Sequence, residues 1–424
     1  MPRQNPKVTS ESRAPGRPGP LASLRGSKGF RALWISNVFF FGGAWTQTMV
    51  LGWLVFETTH SEFLLAVFTS ARLAPMLLGP FAGVLSDRYD RIRLLTFACS
   101  WALGAATVVA ALQSVHQVPY WVLVLGGFAT GLAQSPSQPA RSALVLDLVG
   151  RGSLSNANAL NAMAMNMTQV VGPALGGAMI SAFGASAALW ISGAWYAVSL
   201  LALRPLRRAH RAPVAGHGAA PEPVSTMLTS GLRSILRSRL TAAVLAVTLA
   251  ANVLLWPIHQ AFMPVFAKES LGLDADGLGW LLTCGGIGGL AGSLAIAALG
   301  DFRFKGALFV FGTAAWAALW SLFALSHQVA LSFVLMAAIG VLSASFGVLQ
   351  TTLLLMTTDP SVQGRALGVQ ELAIGVMPVS SLGLGVAAQY AGVATTTFLS
   401  ALLLIAFLVL LALRMPGLPR YSGN

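Results

Sequence analysis

Charged side chains are scarce in this sequence. They make up 9% of its 424 residues, where a soluble domain carries about 25%. That shortage excludes an ordinary cytosolic enzyme, a disordered chain and a nucleic-acid binder. Cysteine is nearly absent: Cys99 and Cys284 are the two, each inside an apolar run, so neither a disulfide framework nor a zinc site is available. They read as small buried thiols. No G-x-x-x-x-G-K-[ST] phosphate loop occurs, which argues against an ATP-driven pump, and no cofactor or metal is expected. Period-2 alternation in pieces of about ten residues is missing too, which discards a transmembrane barrel. No cleavable leader is expected, because the first apolar run starts about 30 residues in and is too long for one.

What is abundant is apolar length. Hydrophobic residues reach 55%, and mean hydropathy is +0.72. Breaks at proline, glycine and charge clusters give twelve apolar segments: 31–56, 63–85, 93–113, 119–146, 155–181, 186–203, 241–266, 277–299, 307–326, 329–355, 367–390 and 393–413. Each exceeds the roughly 17 residues that cross a bilayer as a helix, and a helix satisfies its own backbone there. The expected fold is an all-α membrane protein with twelve transmembrane helices. Residues 1–29 read as a disordered basic tail and 415–424 as a second tail. Residues 205–238, rich in proline, glycine, alanine and arginine, read as a linker, with an interfacial amphipathic helix over Thr226 to Arg239.

The linker divides the apolar region evenly. Residues 30–204 and 239–414 are 175 and 176 long, with six segments each, as a duplication would leave them. Gly83-Val84-Leu85-Ser86-Asp87-Arg88-Tyr89-Asp90-Arg91 follows segment two. Ala297-Ala298-Leu299-Gly300-Asp301-Phe302-Arg303-Phe304-Lys305 follows segment eight, so an apolar stem, an aspartate and basic residues recur at the same place in each half. With both termini cytoplasmic, 24 of the 26 Lys and Arg residues fall on the cytoplasmic side; Lys268 alone is outside and Arg72 lies within segment two. The net charge of +13 then belongs to a face on anionic lipid, with no nucleic acid as partner.

Twelve spans as six plus six, the central linker and the repeated loop resemble the major facilitator superfamily. Gly83-x-Leu85-Ser86-Asp87-Arg88-Tyr89-Asp90-Arg91 is similar to its signature loop between helices two and three. Gln138-Pro139-Ala140-Arg141-Ser142-Ala143-Leu144, Asn156-Ala157-Asn158-Ala159-Leu160, Gly172-Pro173-Ala174-Leu175-Gly176-Gly177 and Gly364-Arg365-Ala366-Leu367-Gly368 resemble the branch of enterobactin-exporter-like efflux proteins. The resemblance implies a secondary transporter: two pseudo-symmetric six-helix bundles rocking about a cavity lined by helices one, four, seven and ten. It implies that Gly83, Asp87, Arg88 and Arg91 latch the halves together, Asp87 meeting the start of helix eleven near Arg365, with Asp301 as the second copy. It also implies an antiporter-type motif at Gly172, Pro173 and Gly176. Two positions depart from relatives: Ala44 stands where many carry an aspartate before tryptophan, and Gly127 where many carry an arginine.

The residues themselves suggest where chemistry sits. Gly172 and Gly176 on segment five, and Gly285 and Gly289 on segment eight, are each four apart, and so present smooth faces for a helix-five/helix-eight interface. Arg72 lies ten residues beyond Glu62, about 15 Å by helical rise, near the membrane centre, where a charge marks function by default. Glu371, six residues past Arg365, is expected to face the same cavity as a state-dependent partner of Arg72 and as the proton carrier. Snorkelling or a static structural pair is the alternative. Trp45, Gln47, Gln134, Gln138, Arg141, Asn252, Trp256, His259, Gln260 and Gln350 are expected along the pathway, with interhelical hydrogen bonds as the alternative for each. His259 has the residue type that titrates near neutrality, and Asp147 is expected to pair with Arg141. The function expected is export of a small amphiphile, such as a drug, siderophore or metabolite, from a bacterial inner membrane by proton antiport. The alternatives are an uptake symporter or a lipid flippase. Small-molecule substrate, proton and membrane lipid are the expected partners of a monomer.

Overall fold

The computed structural model describes residues 22–78, 89–115, 118–209, 238–299, 302–359 and 362–422, and among them every regular element is helical. The signature-loop residues Gly83, Asp87 and Arg88, the second-copy Asp301 and the amphipathic stretch of the linker up to residue 237 lie outside the described residues.

Among the described residues twelve helices follow the twelve apolar segments, the second of them described only as far as residue 78. α1 is Lys28–Thr59, capped by the Ser27 hydroxyl, which accepts from the Phe30 amide. α2 is Glu62–Leu73, capped by Ser61, and tightens into a 3₁₀ stretch over Ala74–Leu78, where Pro75 removes a backbone donor. α3 is Arg91–Ser114, with the Asp90 carboxylate accepting from the Arg93 amide. The helical run Tyr120–Ala202 is broken by Gly150 (φ 70°) and Gly184 (φ 81°), backbone positions that favour glycine. The breaks make α4 (120–149), α5 (151–183) and α6 (185–202). α7 is Arg239–Leu254, continued beyond Leu255 by Trp256–Ala261 and Met263–Val265. Pro257 and Pro264 explain those interruptions. α8 is Ala275–Leu299, α9 Lys305–Ala324 and α10 Val329–Thr357. α11 runs Gln363–Gly375 and resumes as Met377–Ala391, with Pro378 at the break; α12 is Val393–Arg414.

The twelve helices form two six-helix bundles whose internal contacts repeat. In the first, α4 crosses α2 so closely that a Cβ at Gly131 would strike the Arg72 carbonyl, and Ser135 Oγ donates to the Pro75 carbonyl at 2.9 Å. In the second, a Cβ at Gly288 of α8 would strike the Ala337 carbonyl of α10, and one at Gly340 the Gly285 carbonyl. The α2–α4 and α8–α10 crossings occupy the same place in each half, as pseudo-twofold symmetry requires.

Two stretches expected as free tails are partly folded. Ala22–Gly26 forms a helical turn: the Ser23 amide donates to Asn156 Oδ1 at 3.2 Å and Ser27 Oγ to the Leu148 carbonyl at 3.2 Å. After α12 the chain turns back on the second bundle. Leu418 is fully buried, the Gly306 amide donates to the Tyr421 carbonyl, and Tyr421 Oη donates to the Met356 carbonyl. Buried backbone partners supply the order that local composition did not signal.

Candidate functional site

The start of α1 at Lys28 and the end of α12 at Arg414 lie at one end of the bundle; the start of α2 at Glu62 and the last turn of α11, near Tyr390, mark the far end. Toward the far end the two halves are joined along three seams. Where α2 meets α11, Ser70 Oγ donates to the Pro378 carbonyl at 2.7 Å, and a Cβ at Gly385 would strike that of Ala66. Between α5 and α8, Thr283 Oγ1 donates to the Val170 carbonyl at 3.0 Å, and Gly177 lies against the Ala275 backbone. From α1, the Trp53 ring receives Lys268 Nζ 5.6 Å from its centroid.

Below this seal lies a cavity of about 330 Å³. Trp45, Thr48 and Gly52 of α1, Phe68 and Thr69 of α2, and Asn166 and Gln169 of α5 line one side. The other side is Trp256, His259 and Gln260 of α7, with residues of α8, α9 and α10. The ring of His259 lies between Trp256 and Trp320, at centroid distances of 5.8 and 5.9 Å, and its Nδ1 is buried without a partner. No Asp, Glu, Lys or Arg lines this cavity among the described residues. Its chemistry is aromatic with a few neutral hydrogen-bonding groups, suited to a bulky, partly apolar guest.

The sequence-predicted residues separate accordingly. Trp45, Trp256, His259 and Gln260 are in the wall. Gln47 turns away and accepts from Tyr196 Oη at 2.9 Å inside the first bundle. Asn252 bonds back to the Thr248 carbonyl of its own helix. Gln134 is half-buried, Gln138 exposed, and Gln350 half-buried with a partnerless buried Oε1. α4 supplies no lining residue, whereas α2, α5 and α8 do. The polar pair Asn166 and Gln169, set in the apolar run of segment five, was the sequence signal for that, and its glycines overshadowed it.

Three expected contacts are rearranged. Gly172 and Gly176 face α1, at Trp45, Thr46 and Met49, while Gly285 and Gly289 look toward α10. The α5–α8 contact itself is made by Pro173, Gly177, Gly279 and Gly286. A helix carries several small-residue stripes, and spacing alone does not say which neighbour each one meets. Asp147 pairs with Arg91 at 2.5 Å, not with Arg141. Arg141 is buried inside the first bundle, donating to Ser36, Asn37 and Cys99 with the Phe40 and Phe41 rings beside its guanidinium. Arg72 is buried and donates from Nη2 to Gln260 Oε1 at 3.0 Å; Glu371 is exposed on the first part of α11 and is not its partner in this conformation.

With this geometry established, kinship is informative. Residues 18–421 match the family model described as transmembrane secretion effector. The chain is 21% identical over 371 residues to the staphyloferrin A transporter of Staphylococcus aureus, covering 85% of this chain and 90% of that one. It is 24% identical over 373 residues to the multidrug efflux pump Tap of Mycolicibacterium fortuitum, covering 86% and 90%. The solved nucleoside transporter NupG shares the fold, with a TM-score of 0.69 at 16% identity over 92% of this chain and 99% of that one. A duplicated helical body around a central cavity, matched almost end to end, means that the chain belongs to the transmembrane secretion effector family of the major facilitator superfamily, a multi-pass membrane transporter.

Proposed function

We propose that this protein exports a small amphiphile across a bacterial inner membrane by alternating access, with both termini in the cytoplasm and protons moving in exchange. The observation that carries the reading is the central cavity: walled by helices of both halves, rich in tryptophan, with no carboxylate or cation lining it among the described residues, and flanked by the α2–α11 and α5–α8 contacts. The charge distribution along the sequence supports the orientation, the relative named as a multidrug efflux pump supports the direction, and it and the staphyloferrin A transporter support a small-molecule substrate. With the termini inside, the conformation is inward-facing: the seams at α2–α11 and α5–α8 hold the outer side shut. Arg91 and the rest of the signature loop act when the halves exchange contacts at the inner side.

The proton is assigned to Glu371, exposed on the first part of α11. His259, in the cavity wall, is its rival. Everted membrane vesicles test the whole reading. Energised vesicles containing the protein should accumulate members of a panel of aromatic dyes of positive, zero and negative charge, and a protonophore should abolish accumulation. Vesicles that concentrate none of the panel would remove the exporter reading. Glu371→Gln should leave dye exchange at equilibrium intact while losing the response to an imposed pH gradient; if His259→Gln does this instead, the proton belongs to His259.

A further inference from the structure

Arg72 combines three properties. It is buried, 7% exposed, ten residues into α2 and so deep in the membrane. Its guanidinium has five N–H donors and no acceptor. Among the described residues it has no carboxylate partner: Nη2 donates to the neutral Gln260 Oε1, and Nε is buried without a partner. A buried cation without a counter-charge is costly. Arg141 is also buried without a carboxylate and has a partnerless Nε too, but its neighbours Ser36, Asn37, Cys99 and Phe40 all belong to the first bundle, and none of them lines the cavity. The partner of Arg72 is different in kind. Gln260 belongs to the opposite half and lines the cavity, beside Trp256 and Phe68.

We infer that Arg72 anchors an anionic oxygen of the transported amphiphile, a carboxylate above all, and that Gln260 Oε1 is the protein's own stand-in for that oxygen. A carboxylate on Arg72 makes shorter and stronger hydrogen bonds than an amide oxygen does and supplies the missing charge. The aromatic walls then receive the apolar remainder of the molecule. The exchange also has a mechanical consequence: it removes one of the hydrogen bonds that join the two halves, so occupancy of the site weakens their contact while the Ser70–Pro378 and Thr283–Val170 bonds remain. This inference rests on the export reading for its direction, yet its binding step can be measured separately.

The test uses the full chain in lipid nanodiscs with two probes, N-dansyl-leucine and its methyl ester, read by energy transfer from the cavity tryptophans to the dansyl group. The wild type should bind the acid about tenfold more tightly than the ester, the scale of a charge-assisted pair. Arg72→Gln should erase the preference and keep the ester affinity. Arg72→Lys, which keeps the charge but loses the planar fork, should retain part of the preference, and Gln260→Ala should retain all of it. Equal affinities in the wild type, no binding of either probe, or an undiminished acid preference in Arg72→Gln or Arg72→Lys would overturn the inference. So would loss of the preference in Gln260→Ala. Acid preference in nanodiscs without accumulation in vesicles would keep the anchor and discard export. Accumulation of dyes without acid preference would do the reverse.

Discussion

Single side chains in this protein behave according to what surrounds them on the inside of each bundle. Arg141 is held by neutral acceptors and the face of Phe40, with the guanidinium carbon 4.6 Å from the ring centroid. Arg141→Ala leaves Asn37 Oδ1 without its arginine donor, keeps Ser36 only on Ser199, and opens a void beneath two phenylalanines. Thermal unfolding in detergent should show a loss of about 3 kcal/mol. Arg141→Met fills the void without burying a charge and should recover most of that loss. The residue scale is also where the sequence was hardest to read. Arg72, Trp256, His259 and Gln260 were legible at or beside the cavity because a polar or amphipathic group deep in a lipid-crossing helix has few other places to go. Gln47 and Asn252 carried the same signal and are spent on Tyr196 and on the Thr248 carbonyl. Partner choice of this kind depends on helix rotation, which spacing does not encode. Asp147 was misassigned for the same reason: Arg91, distant in sequence, reaches it across the start of α3.

At the scale of elements, the helices were legible and their faces were not. Lipid and protein interior are both apolar, so helices such as α8 and α10 are apolar all round and give no amphipathic stripe to orient them. The glycines show what this hides. A Cβ at Gly288 would collide with the Ala337 carbonyl, whereas one at Gly289 would meet only the Gly340 carbonyl at 3.8 Å. Gly288→Ala should therefore cost about 1–3 kcal/mol in thermal unfolding, and Gly289→Ala, one residue on, less than about 0.5 kcal/mol. The connection from α7 to α8 carries a pH dependence. Glu269 lies there on the turn Phe266–Ser270, and burial, then Glu62, raise its carboxyl pKa, with His60 and Lys268 opposing. A carboxyl raised by the closed seam holds its proton more firmly there than after opening. Closure has this contribution in full below the ordinary glutamate value of about 4.3 and loses it as pH rises through the raised value. Spin labels at Thr58 and Tyr390, both exposed at the far end, should report a longer distance in neutral than in mildly acidic buffer. Glu62→Gln removes the like charge and should flatten that change.

The molecule as a whole is two similar bodies whose cross-half hydrogen bonds, among the described residues, lie away from the chain ends. The duplication was legible in equal lengths and a recurring loop. The position of the seal was not, because it depends on which of two nearly equivalent packings the halves adopt. If transport requires the halves to separate along α5 and α8, a covalent tie there must stop it. A Cβ at Gly286 falls 2.8 Å from Val170 Cγ2 and 3.3 Å from Val170 Cα, close enough for a disulfide after a small adjustment. Val170→Cys with Gly286→Cys, in a background where Cys99 and Cys284 are replaced by serine and alanine, should transport when reduced. Oxidation should lower accumulation in vesicles to the level of membranes without the protein, and a thiol reductant should restore it. Undiminished transport by the cross-linked species would mean that α5 and α8 never part, and that the substrate leaves by another opening.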